Sequence, residues 1–130
     1  MAPIHTAAGR CDVEALRRLL ADGVSPSAAN DEDRGRTPLH YLFLTRPVQG
    51  DPAACFKLLR DAGANLEGAR TLGYTPLHCA ASAGRLELLT LLIQSGVNVD
   101  AVTDYGTTSL HFATRKGEVD CAKVLLAAGA

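Results

Sequence analysis

The apolar positions of this chain fall into short stretches with helical rather than strand spacing. In the stretch from Leu86 to Gln94, Leu89, Leu92 and Ile93 line up along one stripe of a helix, with Glu87 and Thr90 off it. Similar Leu-rich runs precede Gly23, Gly63 and Gly129, as this one precedes Gly96, and a glycine just past an apolar run is a helix stop. A second kind of helix is shorter and starts at a Thr-Pro pair. Threonine caps the first turn there, and proline suits the first helical position. The pattern predicts helices near Pro3–Ala8, Val13–Ala21, Pro38–Thr45, Pro52–Asp61, Pro76–Ala83, Leu86–Gln94, Ser109–Arg115 and Val119–Ala127. Turns are expected at Arg34-Gly35, Leu72-Gly73 and Tyr105-Gly106.

These elements repeat. Thr37-Pro38-Leu39-His40 returns as Thr75-Pro76-Leu77-His78 and, with one change, as Thr108-Ser109-Leu110-His111, and Ala2-Pro3-Ile4-His5 is a fourth copy. The glycines that close the Leu-rich runs give the same period of 33 residues over their last two steps. The excess of the other steps is local. Two extra residues lie between Ser25 and Arg36. Five lie inside unit two, around Arg46-Pro47-Val48-Gln49-Gly50-Asp51, where a protruding, mobile loop is expected. The units run approximately over 1–30, 31–69, 70–102 and 103–130, in one domain.

Thr-Pro-Leu-His, then a pair of small residues, then a Leu-rich helix ending in glycine, repeated at 33, resembles the ankyrin repeat over essentially the whole chain. The resemblance implies an all-α repeat solenoid: L-shaped units of two antiparallel helices with projecting β-hairpin fingers, stacked into a slightly curved array. Two departures stand out. Unit two carries Leu42 and Phe43 where the others have Ala7 and Ala8, Ala80 and Ala81, or Ala113 and Thr114, so its helices are expected to shift locally. Cys11 takes the place of the glycine between the helices of unit one.

Composition narrows the function. Thirteen Lys and Arg against 14 Asp and Glu leave a net charge of −1, a poor match to nucleic acid or an anionic membrane surface. No apolar run approaches the length of a membrane span. The first residues carry neither a basic stretch nor an apolar core, so a secretory signal is not expected and the chain reads as intracellular, cytoplasmic or nuclear. The four cysteines form no C-x-x-C pair and are expected as free, partly buried thiols. All four histidines close a repeat motif. Units about 10 Å apart hold them too far from one another to share a zinc ion, so they read as hydrogen-bonding residues of the fold. No catalytic residue, cofactor or metal is expected.

What remains is a surface. The resemblance implies that partner proteins dock on finger tips and on the exposed face of the first helices. Here those positions include Arg34, Arg36, Leu72, Tyr74, Asp104 and Tyr105 on the fingers, and Arg115 and Lys116 on a helix. Tyr74, Tyr105, Arg115 and Lys116 sit in adjacent units and are expected to form one patch. The reading is a protein-interaction module. Its alternatives are a targeting or scaffolding domain of a larger enzyme or ubiquitin-ligase adaptor, and a small kinase-inhibitor-like ankyrin protein. The ends differ: Arg18 stands where later units carry Leu58, Leu91 and Val124, whereas the last run, Val124-Leu125-Leu126-Ala127-Ala128, stays apolar. Exposing such side chains forfeits about 1.5–3 kcal/mol each relative to burial. The chain is therefore expected either to continue past Ala130 or to pack end to end.

Overall fold

A computed structural model of the chain describes residues 3–44, 51–68 and 71–130. Among them the elements are eight α-helices: α1 (Pro3–Gly9), α2 (Val13–Ala21), α3 (Pro38–Leu44), α4 (Pro52–Asp61), α5 (Pro76–Ala83), α6 (Leu86–Gln94), α7 (Ser109–Arg115) and α8 (Val119–Ala127). They form four antiparallel pairs, here units one to four. The first helices pack in a row, α1 on α3, α3 on α5 and α5 on α7, and the second helices α2, α4, α6 and α8 form a parallel row behind them. This is an all-α repeat solenoid.

The starts of α2, α4, α5 and α7 follow from their caps. Thr75 and Thr108 accept the backbone N–H of His78 and His111 through their hydroxyls, and each histidine ring accepts the threonine N–H in return. Asp12 and Asp51 cap α2 and α4 through their carboxylates. The ends follow from glycine. Gly96, at φ 88°, lets the chain turn out of α6 while its N–H reaches the Ile93 carbonyl. Cys11 does the corresponding job between α1 and α2, where Gly84 and Gly117 serve units three and four. It adopts φ 54°, a left-handed conformation unusual for a side chain with a Cβ.

One layer of apolar residues runs the length of the array between the two rows. Leu16, Phe56, Leu89, Leu59, Leu92 and Leu125 from the second helices meet Ile4, Leu39, Leu42, Phe43 and Leu77 from the first, all buried. Unit two absorbs its two large residues in this layer: Leu42 and Phe43 are both fully buried, and the Phe43 ring lies 6.0 Å from that of Phe56. The insertion expected at Arg46 to Asp51 lies outside the described residues except for Asp51, the cap of α4, and Thr45, at the expected end of α3, lies outside them too. All four cysteines are buried free thiols.

The fingers are turns more than ladders. Among the described residues the hairpin pairing is reduced to an isolated antiparallel bridge between Asn30 and Arg36, with a 3₁₀ turn over Asp31–Asp33 inside it. A second 3₁₀ turn covers Thr71–Gly73. The last finger closes with the Thr103 N–H donating to the Thr107 carbonyl and the Thr103 hydroxyl accepting the Tyr105 and Thr107 N–H groups. The arms are too short to sustain a ladder, and Asn30 and Thr103 side chains take the main-chain donors that a longer strand pair would use.

Candidate protein-binding surface

The motif histidines hold the fingers in place. The Thr75 N–H donates to His78 Nδ1, so Nδ1 is an acceptor and Nε2 carries the proton. That Nε2–H donates to the Ala101 carbonyl of the next finger at 2.9 Å. His40 does the same, receiving the Thr37 N–H at Nδ1 and donating to the Tyr74 carbonyl at 2.8 Å. Burial lowers the His78 pKa, because protonation would place a charge in an apolar layer. In unit one the sequence has Ala2 in place of threonine, and His5 keeps only its bond to the Ala28 carbonyl, with Nδ1 buried and unpaired.

The first finger is stiffened by a polar knot. The Tyr41 hydroxyl donates to Asp33 Oδ2 at 2.5 Å and accepts from Asn30 Nδ2 at 2.9 Å, and Arg36 pairs with the same carboxylate at 3.3 Å. The Tyr41 bond first, then the Arg36 and Arg34 charges, hold the Asp33 carboxyl below its usual range. Tyr41→Phe is expected to cost about 1 kcal/mol in urea unfolding. A lowered folded pKa means the Asp33 contribution is present above the ordinary value of 3.8 and fades as pH falls below it. The gap between Tyr41→Phe and wild type should therefore narrow in acid.

The structure places the sequence-derived surface residues as follows. Arg34 and Leu72 occupy equivalent finger tips, both exposed and both in the left-handed region, at φ 59° and 71°. Tyr105, at the third tip, is 73% exposed. The tips of the last two fingers adjoin: the Asp104 N–H donates to the Leu72 carbonyl at 2.9 Å, and the Asp104 side chain lies against Gly73. Arg36 is half-buried in its ion pair. Tyr74 is half-buried too, its ring 5.5 Å from Phe112 and 6.3 Å from His78. Arg115 is exposed, with its guanidinium 5.8 Å from the Phe112 centroid. Lys116 is exposed at the end of α7.

Phe112, absent from the sequence-derived set, is thus the ring that bridges Tyr74 and Arg115. Its signal was available. It follows His111 directly, and the same position holds Thr6, Tyr41 and Cys79, changing in character while the histidine before it does not.

Three of the four thiols are held in their neutral form. Burial, then the adjacent Cys11 thiol, pushes Cys55 up to about 12. Burial raises Cys11, and burial with Glu118 and Asp120 raises Cys121. Among the described residues no three His, Cys, Asp or Glu side chains converge, and no helix is long and apolar enough to cross a membrane.

A solenoid of stacked helix pairs with finger turns displays side chains at a fixed spacing. Two models of ankyrin repeats match the chain, one over residues 43–130 and one over residues 4–49. The chain belongs to the ankyrin-repeat family, whose repeats are protein-interaction modules. It is 37% identical over 83 residues to human ankyrin repeat domain-containing protein 37, covering 63% of this chain and 48% of that one. It is 36% identical over 84 residues to human ankyrin repeat and SOCS box protein 16, covering 64% and 17%. With the Drosophila melanogaster tyrosine-protein kinase Shark the identity is 35% over 92 residues, covering 69% and 9%. The matched stretch thus spans half or less of each of these relatives.

Proposed function

We propose that residues 1–130 act as one non-enzymatic protein-binding domain whose contact surface is built by units three and four. Leu72 and Tyr105 form its tip. Tyr74, Phe112 and Arg115 form its floor, with Asp104 and Lys116 at the edges, and Arg34 and Arg36 extend it along the finger row. The observation that carries this reading is Leu72, a large apolar side chain held 40% exposed in left-handed backbone beside the still more exposed Tyr105. That conformation costs about 1–2 kcal/mol for a residue with a Cβ, and an exposed leucine repays none of it within the fold. The mechanism is rigid presentation: fingers pinned by His40 and His78 lose little entropy when a partner docks. An intracellular setting, cytoplasmic or nuclear, suits the buried free thiols.

The test is affinity capture of proteins from cells with wild type and with a Leu72→Gly, Tyr105→Ala double variant, matched for thermal stability. Loss of two hot-spot side chains at about 2 kcal/mol each should weaken a bound partner more than 100-fold. Retention of the same proteins by the double variant would overturn the assignment.

A second reading, a targeting or scaffolding segment within a larger protein, is favoured by the small share of the SOCS-box protein and of the kinase that such a stretch represents. An immunoblot of the native protein running far above 13.6 kDa would support it, and a band at that mass would remove it.

A further inference from the structure

Cys11 stands at a turn where units three and four place Gly84 and Gly117. The turn needs left-handed backbone, which glycine adopts without penalty and cysteine does not, and Cys11 holds φ 54° all the same. The turn by itself therefore gives no reason for a side chain at this point.

Two observations fix what that side chain meets. Between units three and four, a Cβ on Gly84 would run into the carboxylate of Glu118, the residue that leads into α8. The charge of Glu118 in turn acts on Cys121, in the first turn of that helix. The position thus points across the joint at the start of the next unit's second helix. Between units one and two the same direction leads from Cys11 to the start of α4. There Asp51 is the cap, and Cys55, in the register of Cys121, is one turn on, its N–H on the Asp51 carbonyl. The second observation is the contact itself: the Cys11 and Cys55 thiols adjoin, and the Asp51 carboxylate acts on both. Both side chains are buried in the core layer as free thiols. Cys121 is not matched in this way, because the residue pointing at its helix is Gly84.

We propose that Cys11 and Cys55 are a reversible disulfide site, oxidised by a small-molecule disulfide such as glutathione disulfide, and that the bond clamps unit one onto unit two. The Cys11 thiolate attacks the small disulfide, its proton leaving to solvent, and a mixed disulfide forms as one small thiolate departs. The Cys55 thiolate then attacks the Cys11 sulfur, expelling the second small thiolate and closing the protein S–S bond. The protein thiols give up two electrons and two protons, and the small disulfide becomes two thiols. Cys11 is the entry point. It lies in a turn, and the Arg85 charge favours its thiolate, whereas Cys55 lies on α4 and is pushed up to about 12 by burial and by Cys11. Both are shut away in the closed array, so local opening of the joint admits the oxidant, and the bond then keeps the joint closed. It also closes a loop of about 45 residues, which restricts the unfolded chain. The clamp lies away from the finger-tip surface of units three and four and does not rest on that reading.

The test incubates the 130-residue chain with mixtures of reduced and oxidised glutathione, in sub-denaturing urea so that the joint opens. After an acid quench, the bonds are mapped by peptide mass spectrometry. The expected product is an intramolecular Cys11–Cys55 bond that dithiothreitol removes. Its thermal midpoint should lie about 5–15 °C above that of the reduced chain. Cys11→Gly gives the turn the residue of units three and four, and Cys55→Ala gives α4 the residue that Ala15 supplies in α2. Neither variant should show the rise, and Cys11→Gly carries the control alone if Cys55→Ala does not fold. The proposal falls if the bond joins other cysteines, if the product is only a mixed disulfide with glutathione, or if both thiols stay free in fully oxidised buffer. It falls equally if the oxidised chain melts no higher than the reduced one.

Discussion

Phe56→Ala is expected to destabilise the array by about 3–5 kcal/mol, the range for truncating a fully buried aromatic. Phe56 is fully buried on α4, with its ring 6.0 Å from Phe43 and the Arg60 guanidinium 5.9 Å from its centroid. The size of the effect follows from its place in the stack. Unit two sits between unit one and units three and four, and in a linear array each unit is stabilised chiefly by its neighbours. Removing the ring opens a cavity in the layer and weakens the joints of α4 with α2 and with α6. Unit one should lose protection together with unit two while units three and four keep theirs. Hydrogen exchange on the variant reads this directly: amides of α1 to α4 should exchange faster as a block, and those of α6 and α8 should change little. Uniform acceleration along the whole chain would mean that the array unfolds as one cooperative body.

The helices were legible because their signals are local. Thr75-Pro76 marks a first turn by side-chain chemistry, and the glycines mark last turns by backbone freedom; α6 and α8, which have no side-chain cap, were read from their apolar stripe, and the ends of α2 and of α4 to α8 fall where the sequence pattern put them. The fingers were less legible. A hairpin was expected, but Asn30 and Thr103 capture the main-chain donors within the turn, and whether a short arm pairs or caps depends on a balance that residue type does not fix. Leu72 gave no sign of left-handed backbone, since nothing in its own chemistry favours it. The surface was half legible. Finger tips are placed by the repeat period, which located Leu72 and Tyr105. The half-burial of Tyr74 depends on Phe112, thirty-eight residues away, and packing at that range is not written in either neighbourhood.

His78→Ala should cost about 2–5 kcal/mol, whereas His111→Ala should cost less than about 1 kcal/mol, although both histidines close the same four-residue motif. His78 is fully buried and bonded at both nitrogens, so its removal leaves the Thr75 N–H and the Ala101 carbonyl without their partner and opens a ring-sized void beside the Tyr74–Phe112 pair. An unsatisfied buried donor or acceptor costs about 1–3 kcal/mol. His111 is exposed and uses only Nδ1, so water replaces most of what it gives. His78 also makes stability depend on pH. The folded state lowers the His78 pKa below its ordinary 6.5, so between the two values the unfolded chain binds the extra proton. Stability due to neutral His78 is then fully present above 6.5 and drains away as pH falls toward the folded value. Thermal midpoints measured from pH 8 down to pH 5 should fall for wild type, and the slope should be shallower in a His78→Gln variant. Equal slopes in the two would mean that His78 is not the group through which acid loosens the hold of unit three on the last finger.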